Sequence, residues 1–148
     1  MINARVETVT AKPAFRAALK QRRCLIPANG FYEWFGKAGN KQPYYFHLPS
    51  SEPLAFAGLY EIWENKEAPP DAGPYKSCTI ITMDASDSVK DKAYEEWLDP
   101  GNKEPAKIEE LLKTAYVKEL NCYPVSKMVN QVGNNSKECI EPVKESGN

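Results

Sequence analysis

Arg22-Arg23-Cys24-Leu25-Ile26-Pro27-Ala28-Asn29-Gly30-Phe31-Tyr32-Glu33-Trp34-Phe35 is the stretch on which the fold turns. A short apolar run, a break at Ala28-Asn29-Gly30 and an aromatic run read as strand, interruption, strand. Gly30 marks a turn or a close backbone approach. Gly36 to Asn40 carries turn chemistry and closes a hairpin onto Pro43–Leu48. Toward the N-terminus, Lys12 to Arg23 reads as a helix. Phe15, Ala18 and Leu19 recur at i, i+3, i+4, and Pro13 suits a first turn. Toward the C-terminus, Leu54–Trp63 is a further strand, Asn65–Pro74 a polar, Pro-rich surface loop and Ser77–Thr82 a short β-rich run. Lys92–Leu98 and Pro105–Thr114 read as helices, and Asn121–Ser126 as a last strand. Strands outnumber helices and the hairpins imply antiparallel pairing. The expected class is therefore α+β, a curved or barrel-like antiparallel sheet with flanking helices. One domain is expected over residues 1–143, with a frayed tail from 144 to 148.

The totals describe an ordinary folded chain. With 148 residues, 42% hydrophobic and 26% charged, it is neither disordered by composition nor too short for a core. No apolar run is long enough to span a bilayer, and Met1-Ile2-Asn3-Ala4-Arg5 lacks a signal pattern, so a cytoplasmic protein is expected. Cys24, Cys78, Cys122 and Cys139 are scattered, with no Cys-x-x-Cys and a single histidine, His47. They read as reduced thiols on strands or in the core, and nothing points to a metal or an organic cofactor. The net charge of −1 conceals a gradient. Residues 1–23 carry Arg5, Lys12, Arg16, Lys20, Arg22 and Arg23 against Glu7, a balance of +5 that includes every arginine of the chain. Residues 61–110 carry thirteen acids and six lysines, a balance of −7. Arginine's planar fork suits phosphate, so the basic end is a candidate anion-binding face. On charge alone, a helix with solubilising cations on its outer side is the simpler reading.

Several residues in the deciding stretch could carry chemistry. Strand alternation places Glu33 on one face with Phe31 and Phe35, and Tyr32 with Trp34 on the other. A carboxyl among aromatic rings is expected to be desolvated, with a raised pKa suited to proton transfer near neutrality. The alternative is a half-exposed strand glutamate without a task. Trp34, Tyr32 and Phe31 could stack on unpaired bases, although in a β-rich protein at least two of the three are expected in the core. His47, in Tyr44-Tyr45-Phe46-His47-Leu48, has no partners nearby to complete a triad and reads as structural. Asn3 and Arg5 lie on one side of an extended segment and can present an amide and a guanidinium together.

These fragments form a pattern. Asn3-Ala4-Arg5-Val6-Glu7-Thr8, Pro13-Ala14-Phe15-Arg16 and Arg22 through Trp34 closely resemble the central signature of the SRAP (SOS response-associated peptidase) family. The resemblance continues through Lys41-Gln42-Pro43-Tyr44, Ala55 to Glu61, Cys78 to Thr82, Trp97-Leu98-Asp99-Pro100, Pro124-Val125-Ser126 and Val129-Asn130. It implies a DNA-damage protein that binds single-stranded DNA at abasic sites. It also implies that an N-terminal cysteine, freed by removal of the initiator methionine, closes a thiazolidine with the sugar aldehyde. By position in the motifs, the family's assisting asparagine falls on Asn3 and its glutamate on Glu33. Arg5 falls on a phosphate-contacting arginine, and Thr82 on a residue lining the pocket. Trp34 is placed with the DNA-binding residues. A bacterial member would be cytoplasmic and nucleoid-associated.

The sequence departs from the family at two places. The family begins Met-Cys-Gly-Arg and runs through a substantial segment before the Asn-Ala-Arg motif, whereas this numbering starts two residues before it. The family also carries an Ile-His-Asp-Arg-Met-Pro stretch after the strand matching Cys78–Thr82. Here Asp84-Ala85-Ser86-Asp87-Ser88-Val89-Lys90-Asp91 leads directly into the following helix, as if the histidine loop were excised. Three functions compete: a cross-linking abasic-site sensor whose nucleophile lies outside this numbering, a non-catalytic single-stranded DNA-binding module, and a peptidase. No nucleophile–base pair supports broad proteolysis, so self-removal of the methionine is the more economical peptidase reading.

Overall fold

The computed structural model describes residues 3–67, 69, 71–83, 91–114 and 119–144. In chain order the elements are β1 (Asn3–Arg5), α1 (Val6–Val9), α2 (Pro13–Gln21), β2 (Arg23–Ala28), β3 (Phe31–Phe35), β4 (Gln42–His47), β5 (Leu54–Trp63), β6 (Tyr75–Thr82), α3 (Asp91–Leu98), α4 (Pro105–Thr114) and β7 (Asn121–Pro124). Short 3-10 turns follow at Lys127–Asn130 and Lys137–Cys139. The α+β class holds. The chain divides into two compact units, Met1–Pro27 with Ala55–Lys118 and Ala28–Leu54 with Glu119–Asn148.

The first unit holds a four-stranded sheet in the order β1-β6-β5-β2. β5 and β6 pair antiparallel from Gly58↔Ile80 to Trp63↔Tyr75, so β6 starts two residues before the expected Ser77. β1 and β6 pair in parallel, Asn3 with Ile80 and Arg5 with Thr82. This departs from the antiparallel expectation, and the long intervening chain supplies the crossover that a parallel pair requires. Helix α2 begins at Pro13, whose fixed φ and missing N–H suit that position, and buries Phe15, Ala18 and Leu19 as the spacing predicts. It ends at Gln21, because Arg22 leaves helical geometry (φ −133, ψ 52) and Arg23 enters β2. In α4, Ile108, Leu111 and Leu112 form the buried stripe. These residues join Ala4, Val6, Val9, Leu59, Ile81 and Trp97 in one core. Gly58 is a close approach: a Cβ there would lie 2.7 Å from Ile26 Cδ1 and 3.1 Å from Cys24 Sγ, so the Ile26 side chain would have to shift.

The second unit is a three-stranded sheet, β3-β4-β7. β3 and β4 pair antiparallel with Glu33 opposite Tyr44, and β4 pairs antiparallel with β7. The two strand runs and the turn between them read from the sequence are therefore present. Gly36 and Gly39 in that turn take positive φ, 119° and 83°. Gly30 is a close approach: a Cβ would clash with the Phe46 carbonyl oxygen and sit 2.5 Å from Tyr45 Cζ. The C-terminal segment is tied to the sheet. Tyr123 Oη donates to the Ile140 carbonyl at 2.8 Å, Tyr32 Oη to the Cys139 carbonyl at 3.3 Å, and Gln42 Nε2 to the Val125 carbonyl at 2.8 Å. Among the described residues the strands thus form two open sheets, and no barrel closes.

Candidate nucleic-acid interface

β1 is too short to be stable alone and is held by its middle residue. Ala4 is 1% exposed in the core, so Asn3 and Arg5, on either side of it, project together into solvent. Successive same-face residues on a strand stand ~7 Å apart. The parallel register sets Arg5 beside Thr82, which is half-buried. Arg5 Nε lies 3.3 Å from Glu7 Oε2, both side chains about half exposed. Such a pair is weak and screened by salt. The structure therefore brings together three of the five candidate residues: Asn3, Arg5 and Thr82.

Glu33 and Trp34 belong to the second unit. Alternation on β3 is as expected. Phe31 stacks on Phe46 at 5.3 Å and Phe35 meets Tyr44 edge-on at 5.4 Å, while Tyr32 packs against Tyr45 at 5.4 Å and Trp34 at 6.3 Å. The expectation of a desolvated Glu33 fails, however. β3 becomes exposed from Glu33 onward, and the carboxylate stands in solvent beside Phe31 and Phe35 rather than being enclosed by them. Aromatic neighbours on one strand face do not bury a carboxylate unless a further layer covers them. Of the three aromatic residues, Phe31 and Tyr32 are half-buried and Trp34 is 39% exposed, which leaves Trp34 as the ring able to meet a base. Trp34 Nε1 donates to Asn130 Oδ1 at 2.8 Å. Sequence reasoning missed this contact, because nothing in an Asn 96 positions away announces it.

The basic N-terminal run does not form a single phosphate-binding face. Arg23 is 9% exposed. Its guanidinium donates to the carbonyls of Trp97 and Leu19 (2.5 and 2.7 Å) and of Asp99, and lies 5.5 Å from the Trp97 ring centroid. Burial holds its pKa below the ordinary arginine range, and Asp99 acts in the opposite direction. Arg22 Nη2 pairs with Glu61 at 2.9 Å. Lys12, Arg16 and Lys20 remain exposed on or beside α2.

The other candidates are structural. His47 Nδ1 lies 2.8 Å from the Leu48 carbonyl oxygen, and its ring sits 5.9 Å from Tyr45 and 5.6 Å from Tyr123. Burial, with Cys78 second, pushes the Cys24 thiol up and away from the thiolate, so nothing marks it as a nucleophile. Among the described residues no three His, Cys, Asp or Glu side chains gather as metal ligands, and no helix is long and apolar enough to cross a membrane. Residues 84–90, where the sequence reads as if the family's histidine loop were excised, lie outside the described residues.

The chain is 40% identical to the abasic site processing protein YoqW of Bacillus subtilis over 95% of its own length and 66% of the relative's. It is 32% identical to the abasic site processing protein HMCES of Gallus gallus, again over 95% of its own length but 50% of the relative's. The chain thus spans two thirds of the Bacillus relative's length or slightly less. These alignments run over 153 and 173 residues, more than the chain's 148, so the relatives carry residues inside the matched span that have no counterpart here. A crystal structure of a Bacteroides thetaiotaomicron protein superposes with a TM-score of 0.82 at 25% identity, covering 96% of this chain and 66% of that one. A phage-related protein of Bordetella bronchiseptica gives 0.62 at 30% identity, over 86% and 64%. The family model for SOS response associated peptidase (SRAP) matches residues 1–132, and the chain belongs to that family.

Proposed function

We propose that this chain grips single-stranded DNA at abasic sites and that the protein it represents shields the lesion as a covalent thiazolidine cross-link. The nucleophile would be an N-terminal cysteine outside this numbering. The observation that carries the reading is β1: Ala4 is buried, and Asn3 and Arg5 are presented together beside Thr82. The abasic site processing relatives support it. In the proposed chemistry the amine condenses with the ring-opened sugar aldehyde, releasing water and leaving an imine. The thiol sulfur then adds to the imine carbon as its proton passes to nitrogen. Asn3 would orient the sugar, Arg5 would hold a phosphate and Trp34 would stack on a neighbouring base. Glu33 would move protons during ring opening and imine formation. The histidine loop is proposed to be among the segments that relatives carry and this chain lacks. The working place would be the cytoplasm, with the nucleoid if the host is bacterial.

The test is equilibrium binding of a fluorescein-labelled single-stranded oligonucleotide carrying one abasic analogue, titrated with salt. Counterion release predicts that log K falls linearly with log[salt], by roughly 0.7 per phosphate contacted. Equal binding at low and high salt would remove the phosphate face from the account.

A further inference from the structure

The 3-10 turn Lys127–Asn130 is held more firmly than its length requires. Ser126 Oγ accepts from the Met128 N–H at 3.3 Å, and Asn134 Nδ2 donates to the Met128 carbonyl at 2.8 Å. Lys127 Nζ donates to Asn40 Oδ1 at 3.0 Å, which ties the turn to the β3–β4 loop. The side chain at the end of this turn is Asn130, which accepts the Trp34 indole N–H. Water would serve the N–H of a partly exposed tryptophan about as well, so this hydrogen bond adds little to stability. What water cannot do is fix the ring. An indole turns about two torsions, and here one edge is pinned by Asn130 while Tyr32 packs 6.3 Å away on the same strand face.

We propose that Asn130 is a positioning residue for Trp34, holding the indole in the orientation in which its face meets an unpaired base. The proposal rests on the reading of Trp34 as a base contact given above. Stacking on a single base depends on the ring plane, and a ring already ordered loses less side-chain freedom on binding. Asn130 contributes through Trp34 and has no contact of its own with DNA in this account.

The 148-residue chain has three tryptophans, so a ¹⁵N–¹H spectrum carries three indole N–H signals, and Trp34→Phe identifies the one from Trp34. Asn130→Ala should shift that signal and speed its exchange with water, leaving Trp63 and Trp97 unmoved. Asn130→Asp, which keeps an acceptor oxygen, should keep exchange slow. With a fluorescein-labelled oligothymidylate as probe, Asn130→Ala should weaken binding roughly three- to tenfold, the range of one net hydrogen bond. In a Trp34→Phe background, which has no N–H to hold, the same substitution should cost less than about twofold. An unmoved indole signal, fast exchange in Asn130→Asp, or an equal loss in both backgrounds overturns the proposal. Unchanged oligothymidylate binding by Trp34→Ala would instead sink the reading beneath it, and the proposal with it, even if the indole signal behaves as expected.

Discussion

Arg5 and Glu33 are assigned to different tasks, and the two substitutions should fail differently. Arg5 is exposed on β1, where its pair with Glu7 is half exposed and screened by salt. Arg5→Ala should weaken single-stranded DNA binding and flatten its salt slope by roughly 0.7, the share of one phosphate. An unchanged slope would mean that Arg5 touches no phosphate. Glu33 stands exposed on β3. In a longer protein that cross-links as proposed, Glu33→Gln should slow cross-link formation or reversal by at least about tenfold, the low end of what a positioned carboxyl contributes. Non-covalent affinity should barely change. Time courses on denaturing gels measure the rate, and wild-type kinetics would reduce Glu33 to a strand residue.

At the scale of elements, Arg23 links the start of β2 to the ends of two helices. It donates to carbonyls at the end of α2 and, through Trp97 and Asp99, at and just beyond the end of α3. Those carbonyls are the groups a helix leaves unpaired at its C-terminus. Arg23→Met should therefore orphan buried acceptors and cost about 3 kcal/mol in urea unfolding, since hydrogen bonds to a charged group contribute ~1.5–3 kcal/mol each and relaxation recovers part. A loss below about 1 kcal/mol would contradict the clamp. This also marks the limit of what the sequence discloses. The periodicity of Phe15, Ala18 and Leu19 disclosed α2, and the aromatic run with its glycines disclosed β3 and β4, because local spacing determines both. Arg23 looked like a phosphate ligand because chain position records charge but not which charges become buried. The parallel pairing of β1 with β6, and the contact between Trp34 and Asn130, join residues distant in sequence, and no local pattern encodes them. Asn3, Arg5 and Thr82 were assigned by resemblance to a family, and their proximity then came from the register.

For the whole molecule, the net charge of −1 means that any grip on DNA must come from local placement of cations rather than from the overall field. With Arg23 buried and Arg22 paired to Glu61, the cations exposed in the first unit's N-terminal run are Arg5, Lys12, Arg16 and Lys20. Binding by these 148 residues should accordingly be weak and strongly salt-dependent. It should also be non-covalent. Cys24, Cys78, Cys122 and Cys139 are internal, so none offers a free amine beside its thiol. The most direct test incubates the 148-residue polypeptide with an abasic single-stranded oligonucleotide and divides the mixture between a native and a denaturing gel. The account predicts a complex on the native gel at low salt and no shifted band after denaturation. A band that survives denaturation would show that the nucleophile lies within this chain and that the proposed division between grip and chemistry is wrong.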